Sequence, residues 1–506
     1  MLKKNFFNLL FIGALLFLSL VYSYHRELFR HPHAIHTWRQ CDGAQIALNY
    51  YQQSMNFFEP RLSLYIGNEC KMGAEFPIIY YVAACLYKIF GFHECFIRLI
   101  SLCFFFTGMF FLFKTISLFT EDEYYGAILA LMVFTSPLII DYAFNFLPDV
   151  PALSLTFIGY YYCLVFFKSE KSDASLWKAT FFFAFAGLLK PTSLMGYFAI
   201  IGIMLLQTIY LWRKGNFSFS KLPMKALLGF CTLPVFITGI WVSYMKHYNV
   251  ANDNTYFLMT TRPYWEMTPE AISEVWDWLH HRWMHAFTYR GFLYALPFVY
   301  LLSWILINRN TIRPALWLLM VILQCVAYFV LFFAQFKFHD YYLLPFIIIP
   351  VALGSIIVIQ IKNRNAYMFH SLYVKGMVFL LFCAMVYYGR KVNATRDFHD
   401  GWSYCQAFYD IEPELLKHGI NKEDKIISIG DGSSGISLYF MNRRGWTSMT
   451  LSHPAAVETD IEDCIVKGAK YVALDTQAED HLSTGAKEKY LKNEIMLING
   501  IKFYKL

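Results

Sequence analysis

FPIIYYVAACLYKIF, residues 76–90, decides how the chain is read. It is apolar enough to enter a membrane, but it is only fifteen residues long and contains Lys88. A helix needs about 20 residues to cross the hydrocarbon layer, so an interfacial or re-entrant helix is expected here instead of a span. The choice is global, because it sets the side on which every later loop emerges.

Longer apolar stretches fall at 5–22, 97–118, 124–141, 149–167, 175–189, 192–212, 226–245, 289–307, 315–335, 341–361 and 372–389. If 76–90 does not cross, then Lys168, Lys171, Lys178, Arg213, Lys214, Lys221, Lys225, Arg309, Arg313, Lys362, Arg364 and Lys375 share a side with Lys3 and Lys4. That is the excess of cytoplasmic cations that orients membrane proteins; a crossing segment would put all of these loops on the other side. Eleven spans with a cytoplasmic N-terminus are expected, and the run from Phe6 to Tyr22 reads as an uncleaved anchor. The composition agrees: 506 residues, 57% hydrophobic and 16% charged, lack the polar surface of a soluble protein. The formal charge of +7 lies mostly in short loops, so it reports topology and not nucleic-acid binding.

This topology puts the loop 23–96, the Asn145-Phe146-Leu147-Pro148-Asp149 turn, Lys190-Pro191 and the loops 246–288 and 336–340 on the external face. Residues 1–390 read as the membrane domain and 391–506, more polar, as a small external α/β domain. In the latter, strands are expected at Lys425–Ile429 and Tyr471–Leu474, a helical stretch at Ser437–Met441, and a hairpin across Ile495–Lys505 turning at Asn499-Gly500.

Acidic groups are costly to hold near a membrane and ask for a reason. Asp42 follows Trp38 and Arg39 and opens DGAQIALNYYQQ, whose apolar residues recur at helical spacing. An amphipathic helix on the membrane surface is expected, with Asp42 either a charge favoured by the helix dipole or a functional carboxylate beside Glu75 of the same loop. Asp149 carries the same two readings at the start of a span. Lys190, before Pro191, either snorkels to the interface or meets an anion. In Lys337-Phe338-His339-Asp340-Tyr341-Tyr342, the tyrosines suit an interfacial belt, and His339 with Asp340 suits a phosphate or a sugar hydroxyl.

Other patterns are weaker. His31, His33 and His36 lack an evident fourth metal ligand, and His280, His281 and His285 fall in a Trp-rich loop that reads as an interfacial helix. Gly430-Asp431-Gly432-Ser433-Ser434-Gly435 matches GxGxxG but lacks the full βαβ context, so a Gly-rich turn is expected. Cys41 with Cys70, and Cys405 with Cys464, are placed either to pair on an oxidising side or to remain thiols.

In order, the acidic first loop, the Glu75-Phe76-Pro77 element before a short helix, the Pro148-Asp149 turn, the Lys190-Pro191 break and the His339-x-Tyr341-Tyr342 element resemble the GT-C superfamily of membrane glycosyltransferases. The similar branch is that of the protein O-mannosyltransferases and the lipid A aminoarabinose transferase, and the resemblance covers roughly residues 1–390. It implies a GT-C fold of about eleven transmembrane helices plus interfacial helices. It also implies transfer of a sugar from a polyprenyl-phosphate donor to a glycan, lipid or protein acceptor on the external face, with inversion. Under it, Asp42 is the catalytic base, Asp149 a second catalytic acid that holds acceptor or sugar, and Glu75 the acid of a Glu-Lys-Pro element. Here that element lacks its Lys, leaving Arg39 and Lys190 to meet the phosphate. His339, Asp340, Tyr341 and Tyr342 complete the substrate-binding set. No metal or other cofactor is expected, and the compact loops favour a bacterial plasma membrane with the site facing the periplasm or exterior. The competing classes are a transporter, disfavoured by charges gathered at one face and no visible inverted repeat, and a polysaccharide polymerase or ligase handling the same lipid-linked sugars.

Overall fold

A computed structural model describes residues 2–66, 69–168, 173–213, 223–254, 256–257, 261–307, 312–396 and 403–506. The loop cations Lys171, Lys214, Lys221 and Arg309 lie outside the described residues. The chain divides into two compact units, each discontinuous in sequence. The first holds Met1–Leu28, Arg98–Trp241 and Thr260–Thr395; the second holds Phe29–Ile97, Val242–Met259 and Arg396–Leu506.

The first unit is helical, as a chain in lipid must be when its backbone polar groups have no water to meet. Among the described residues seven helices of the chain are long and apolar enough to cross a membrane, Cys95–Thr120 and Asp149–Lys168 among them. Shorter apolar helices include Phe6–Val21, Glu123–Val133 and Arg290–Ile305. Phe11, Leu15 and Leu18 of the first helix pack with Phe105, Met109 and Phe113, Phe11 stacking on Phe113 at 4.7 Å between centroids. Phe17, Leu228 and Phe298 are exposed, as lipid-facing side chains are.

The stretch 124–141 is not the single helix expected. It forms Glu123–Val133 and Pro137–Tyr142, with Ser136 extended between them. Pro137 explains the break, since a proline pushes the preceding residue out of the helical region and is itself well placed in a first helical turn. At the break the Thr135 hydroxyl donates to the Met132 carbonyl and that of Ser136 to the Phe287 carbonyl.

The second unit contains a seven-stranded sheet ordered β2-β1-β4-β3-β5-β7-β6. Its strands are β1 (Arg61–Ile66), β2 (Glu69–Lys71), β3 (Lys425–Ile429), β4 (Arg444–Thr447), β5 (Ala469–Asp475), β6 (Glu494–Ile498) and β7 (Ile501–Lys505). β1, β4, β3 and β5 run parallel; β2, β7 and β6 are antiparallel additions. The expected strands and the 495–505 hairpin are present, and the Ile436–Met441 helix joins β3 to β4. The C-terminal strands thus share their sheet with β1 and β2 of the first loop, a grouping that a cut near residue 390 does not describe.

Gly445 of β4 makes the strand approach possible, because a Cβ there would lie 1.8 Å from the Ile426 carbonyl oxygen of β3. Gly445→Val is expected to disrupt the parallel centre of the sheet at a cost of about 3 kcal/mol or more. Rapid trypsin cleavage within 403–506, against a resistant wild type, is the readout.

The Ile78–Phe90 helix spans thirteen residues, about 20 Å at 1.5 Å per residue, short of a crossing. The Thr37–Gln52 helix departs from expectation. It starts five residues before Asp42, and Gln40 through Tyr50 are buried without interruption, so it is enclosed on all sides and is not an amphipathic surface helix. Its polar residues bond inward: Gln45 accepts from the Ser63 amide and donates to the Gly435 carbonyl.

Candidate active site

Asp42 sits in the second turn of this helix, too deep for the terminal-dipole reading, and is 1% exposed. Its Oδ1 accepts the Ser434 hydroxyl at 2.5 Å and its Oδ2 the Tyr256 hydroxyl at 2.9 Å. Arg39, one turn earlier, holds Nη1 3.7 Å from the same Oδ2. The Arg39 guanidinium is also paired with Glu75, which accepts the Tyr80 hydroxyl at 3.2 Å. Tyr80 reaches in because position 43 is glycine; a Cβ there would meet its ring at 2.5 Å. The Trp38 indole donates to the Tyr256 oxygen at 2.6 Å, the two rings lying within 8° of parallel.

Burial pushes the Asp42 carboxyl up from 3.8 to about 6, with Glu75 adding to the rise, against Arg39, Ser434 and Tyr256, which favour the ionised form. Burial and the neighbouring Asp42 hold the Tyr256 phenol well above its ordinary value, so it remains a neutral donor. A carboxylate titrating near 6 is ionised at neutral pH yet basic enough to accept a proton.

Ser434 lies in the turn between β3 and the Ile436–Met441 helix. Buried Asp431 organises this turn, its Oδ1 accepting the Ser433 amide and hydroxyl and its Oδ2 those of Ser437, at 2.6–2.8 Å. Thr447 of β4 closes it by donating to the Ser433 carbonyl at 2.6 Å. Gly435 follows at φ +135°, a conformation suited to glycine.

A second cluster belongs to the first unit. Lys190 Nζ lies 2.8 Å from Asp149 Oδ1 and 4.9 and 5.0 Å from the ring centroids of Tyr341 and Tyr342. Lys190 is extended, ahead of the Pro191–Ser193 turn, so the proline break aims it at the start of the Asp149–Lys168 helix. Asp149, Lys190, Thr192, Gln324, Tyr328 and Tyr341 line one small cavity of about 30 Å³. Arg98 steadies the turn before Asp149, donating to the Phe144 carbonyl at 3.0 Å and lying 4.7 Å from the Phe146 ring. Asp340 is fully buried and accepts the Tyr142 hydroxyl at 2.5 Å, and the His339 ring rests 5.2 Å from Tyr341. His339 thus packs on the tyrosine pair, and Asp340 holds Tyr142, whose ring lies 5.8 Å from that of Tyr341.

Arg39 and Glu75 thus join Asp42, whereas Lys190, Tyr341 and Tyr342 join Asp149. The three early histidines do not converge: His31 pairs with Glu94 at 2.9 Å, and the His33 ring meets the His31 carbonyl. Cys70 and Cys464 are free thiols; the Cys405 side chain lies outside the described residues.

Residues 74–241 match the family model described as dolichyl-phosphate-mannose-protein mannosyltransferase. ArnT from Cupriavidus metallidurans bound to undecaprenyl phosphate superposes with a TM-score of 0.65 at 12% identity, over 98% of this chain and 97% of that one. The archaeal oligosaccharyltransferase AglB from Archaeoglobus fulgidus, in complex with an inhibitory peptide and a dolichol-phosphate, gives 0.54 at 12% identity over 94% and 70%.

The chain has a GT-C fold.

It resembles the protein O-mannosyltransferase and ArnT branch of the GT-C membrane glycosyltransferases. A search of curated proteins returns no match. Two residues at the carboxylate, Ser434 and Tyr256, are not among the candidates the sequence suggests. Ser434 falls in the GDGSSG turn, whose local pattern speaks only for a turn; Tyr256 stands in a loop without periodicity.

Proposed function

We propose that the protein is an inverting glycosyltransferase that moves a sugar from a polyprenyl-phosphate donor to a hydroxyl acceptor, a glycan, lipid or protein, on the external face of the membrane. The observation that carries this reading is the buried Asp42 carboxyl, titrating near 6 and flanked by hydroxyl donors and Arg39, in a chain of GT-C fold. Asp42 takes the acceptor's hydroxyl proton on Oδ2. The acceptor oxygen then forms the bond to the anomeric carbon from the face opposite the phosphate, and the anomeric carbon–oxygen bond to phosphate breaks with its electron pair left on phosphate. Negative charge develops on the departing lipid phosphate, and a preorganised cation in a water-poor site stabilises it. In the first unit Lys190, oriented by Asp149 and lying over the Tyr341 and Tyr342 rings, is a cation suited to bind the lipid phosphate. No step requires a metal.

The test is transfer from the donor lipid that accumulates in cells lacking the gene, with the anomeric configuration of donor and product compared by NMR. Inversion is expected; retention would reject the single-displacement mechanism. The pH dependence follows from Asp42. Only the ionised base works, so kcat/KM rises with pH through about 6 and is about tenfold higher at pH 7 than at pH 5. A profile flat across that window would remove Asp42 as the base.

A further inference from the structure

The ionised base must offer a lone pair to the acceptor, yet both oxygens of Asp42 hold a hydroxyl and the residue is 1% exposed. Each oxygen keeps a second lone pair, but the carboxylate is closed off from solvent, so an acceptor reaches it by moving one of the two hydroxyls aside. Resting on the assignment of Asp42 as base, we propose that Ser434 is a positioning residue that stays bonded to Oδ1 throughout, and that the Tyr256 hydroxyl occupies on Oδ2 the seat of the acceptor hydroxyl until the acceptor displaces it.

The two partners differ in how they are held. Ser434 sits in the turn tied to Asp431 and Thr447, is 1% exposed and makes the shorter bond. Tyr256 reaches Asp42 at the end of a long, partly buried side chain. Its oxygen also receives the Trp38 indole, so the phenol keeps a partner when it leaves the carboxylate. A neutral phenol donates to Oδ2 as an alcohol would, which makes it a chemical stand-in for a sugar, lipid or protein hydroxyl. Oδ2 is also the oxygen facing Arg39.

The roles predict different pH behaviour. The charged and titratable groups facing Asp42 are Arg39 on its own helix, Glu75 with Tyr80 behind it, and Tyr256. A hydrogen bond to the ionised form favours that form, so losing either hydroxyl raises the carboxyl's titration point. The acid limb of kcat/KM reports the free enzyme and that of kcat the substrate complex. Ser434 acts in both states, Tyr256 only in the free one.

Both profiles are to be measured on the full-length protein with donor lipid extracted from the deletion strain and that strain's membranes as titrated acceptor. Ser434→Ala is expected to move both acid limbs up by about one pH unit, with Ser434→Thr restoring them; Ser434→Cys, a weaker donor, reads the same displacement if the alanine variant does not fold. Tyr256→Phe is expected to move the limb of kcat/KM alone. A Ser434→Ala rate reduced equally at every pH, or a Tyr256→Phe shift in kcat, overturns the proposal. Asp42→Asn run alongside separates the failures. Near-normal turnover in that variant rejects the base itself, whereas an inactive Asp42→Asn beside an unshifted Ser434→Ala rejects only the division of roles.

Discussion

Replacing Asp42 with asparagine is expected to lower transfer about a thousandfold while leaving the fold at least as stable as wild type. The rate follows from general-base catalysis, worth about 10²–10⁴: the amide keeps the size and one accepting oxygen but takes no proton. The stability follows from linkage. The carboxyl titrates near 6 in the folded chain against 3.8 for the exposed group, so between those values the folded state binds more protons than the unfolded one. Stability therefore falls as pH rises through that window, and above it the ionised Asp42 costs the fold about 3 kcal/mol, at about 1.4 kcal/mol per pH unit. Asparagine removes that cost and gives up the ionic contact with Arg39. Turnover and thermal midpoint at pH 7.5 provide the check. A large loss of both would mean that Asp42 holds the helix in place, and near-normal turnover would mean that it is not the base.

A group that is expensive to keep and yet retained in a buried helix is what a functional residue looks like in energetic terms. The sequence carried part of this. Asp42, Arg39 and Glu75 fall in one loop, and their grouping follows from short separations along the chain. The non-crossing reading of 76–90 rests on its length, Lys88 and above all the loop charges, and the helix there, Ile78–Phe90, is thirteen residues long. The C-terminal strands were legible from β-branched runs between turn residues. β1 and β2 were not, since a six-residue strand next to a three-residue one is a weak local signal, and β1's partner β4 lies some 380 residues further on. Ser434 was hidden for the same reason: its bond to Asp42 joins positions 392 apart. Helix termini placed by proline, as at Ser136-Pro137, are local and readable, but here the apolar run 124–141 masked the break.

Lys190→Met carries the second large effect, a loss of about a hundredfold or more in kcat/KM with a raised KM for the donor lipid. The methionine keeps the length and apolar stem while removing the cation proposed to bind the lipid phosphate. It also strands Asp149, whose side chain is 8% exposed; an uncompensated buried charge costs about 3 kcal/mol. That loss of stability could by itself explain a fall in activity, so the informative variant is the double, Lys190→Met with Asp149→Asn. Removing both charges leaves no unpaired ion, and thermal stability is expected to return to within about 1 kcal/mol of wild type. Turnover is expected to stay low, because restoring the fold does not restore the cation. Lys190→Arg is expected to be partly active, since a guanidinium also binds phosphate and packs on aromatic faces such as those of Tyr341 and Tyr342. If the double variant recovers turnover together with stability, Lys190 and Asp149 are a structural brace and the phosphate is met elsewhere. Arg39 would then be the cation to test, since its guanidinium already lies beside Asp42.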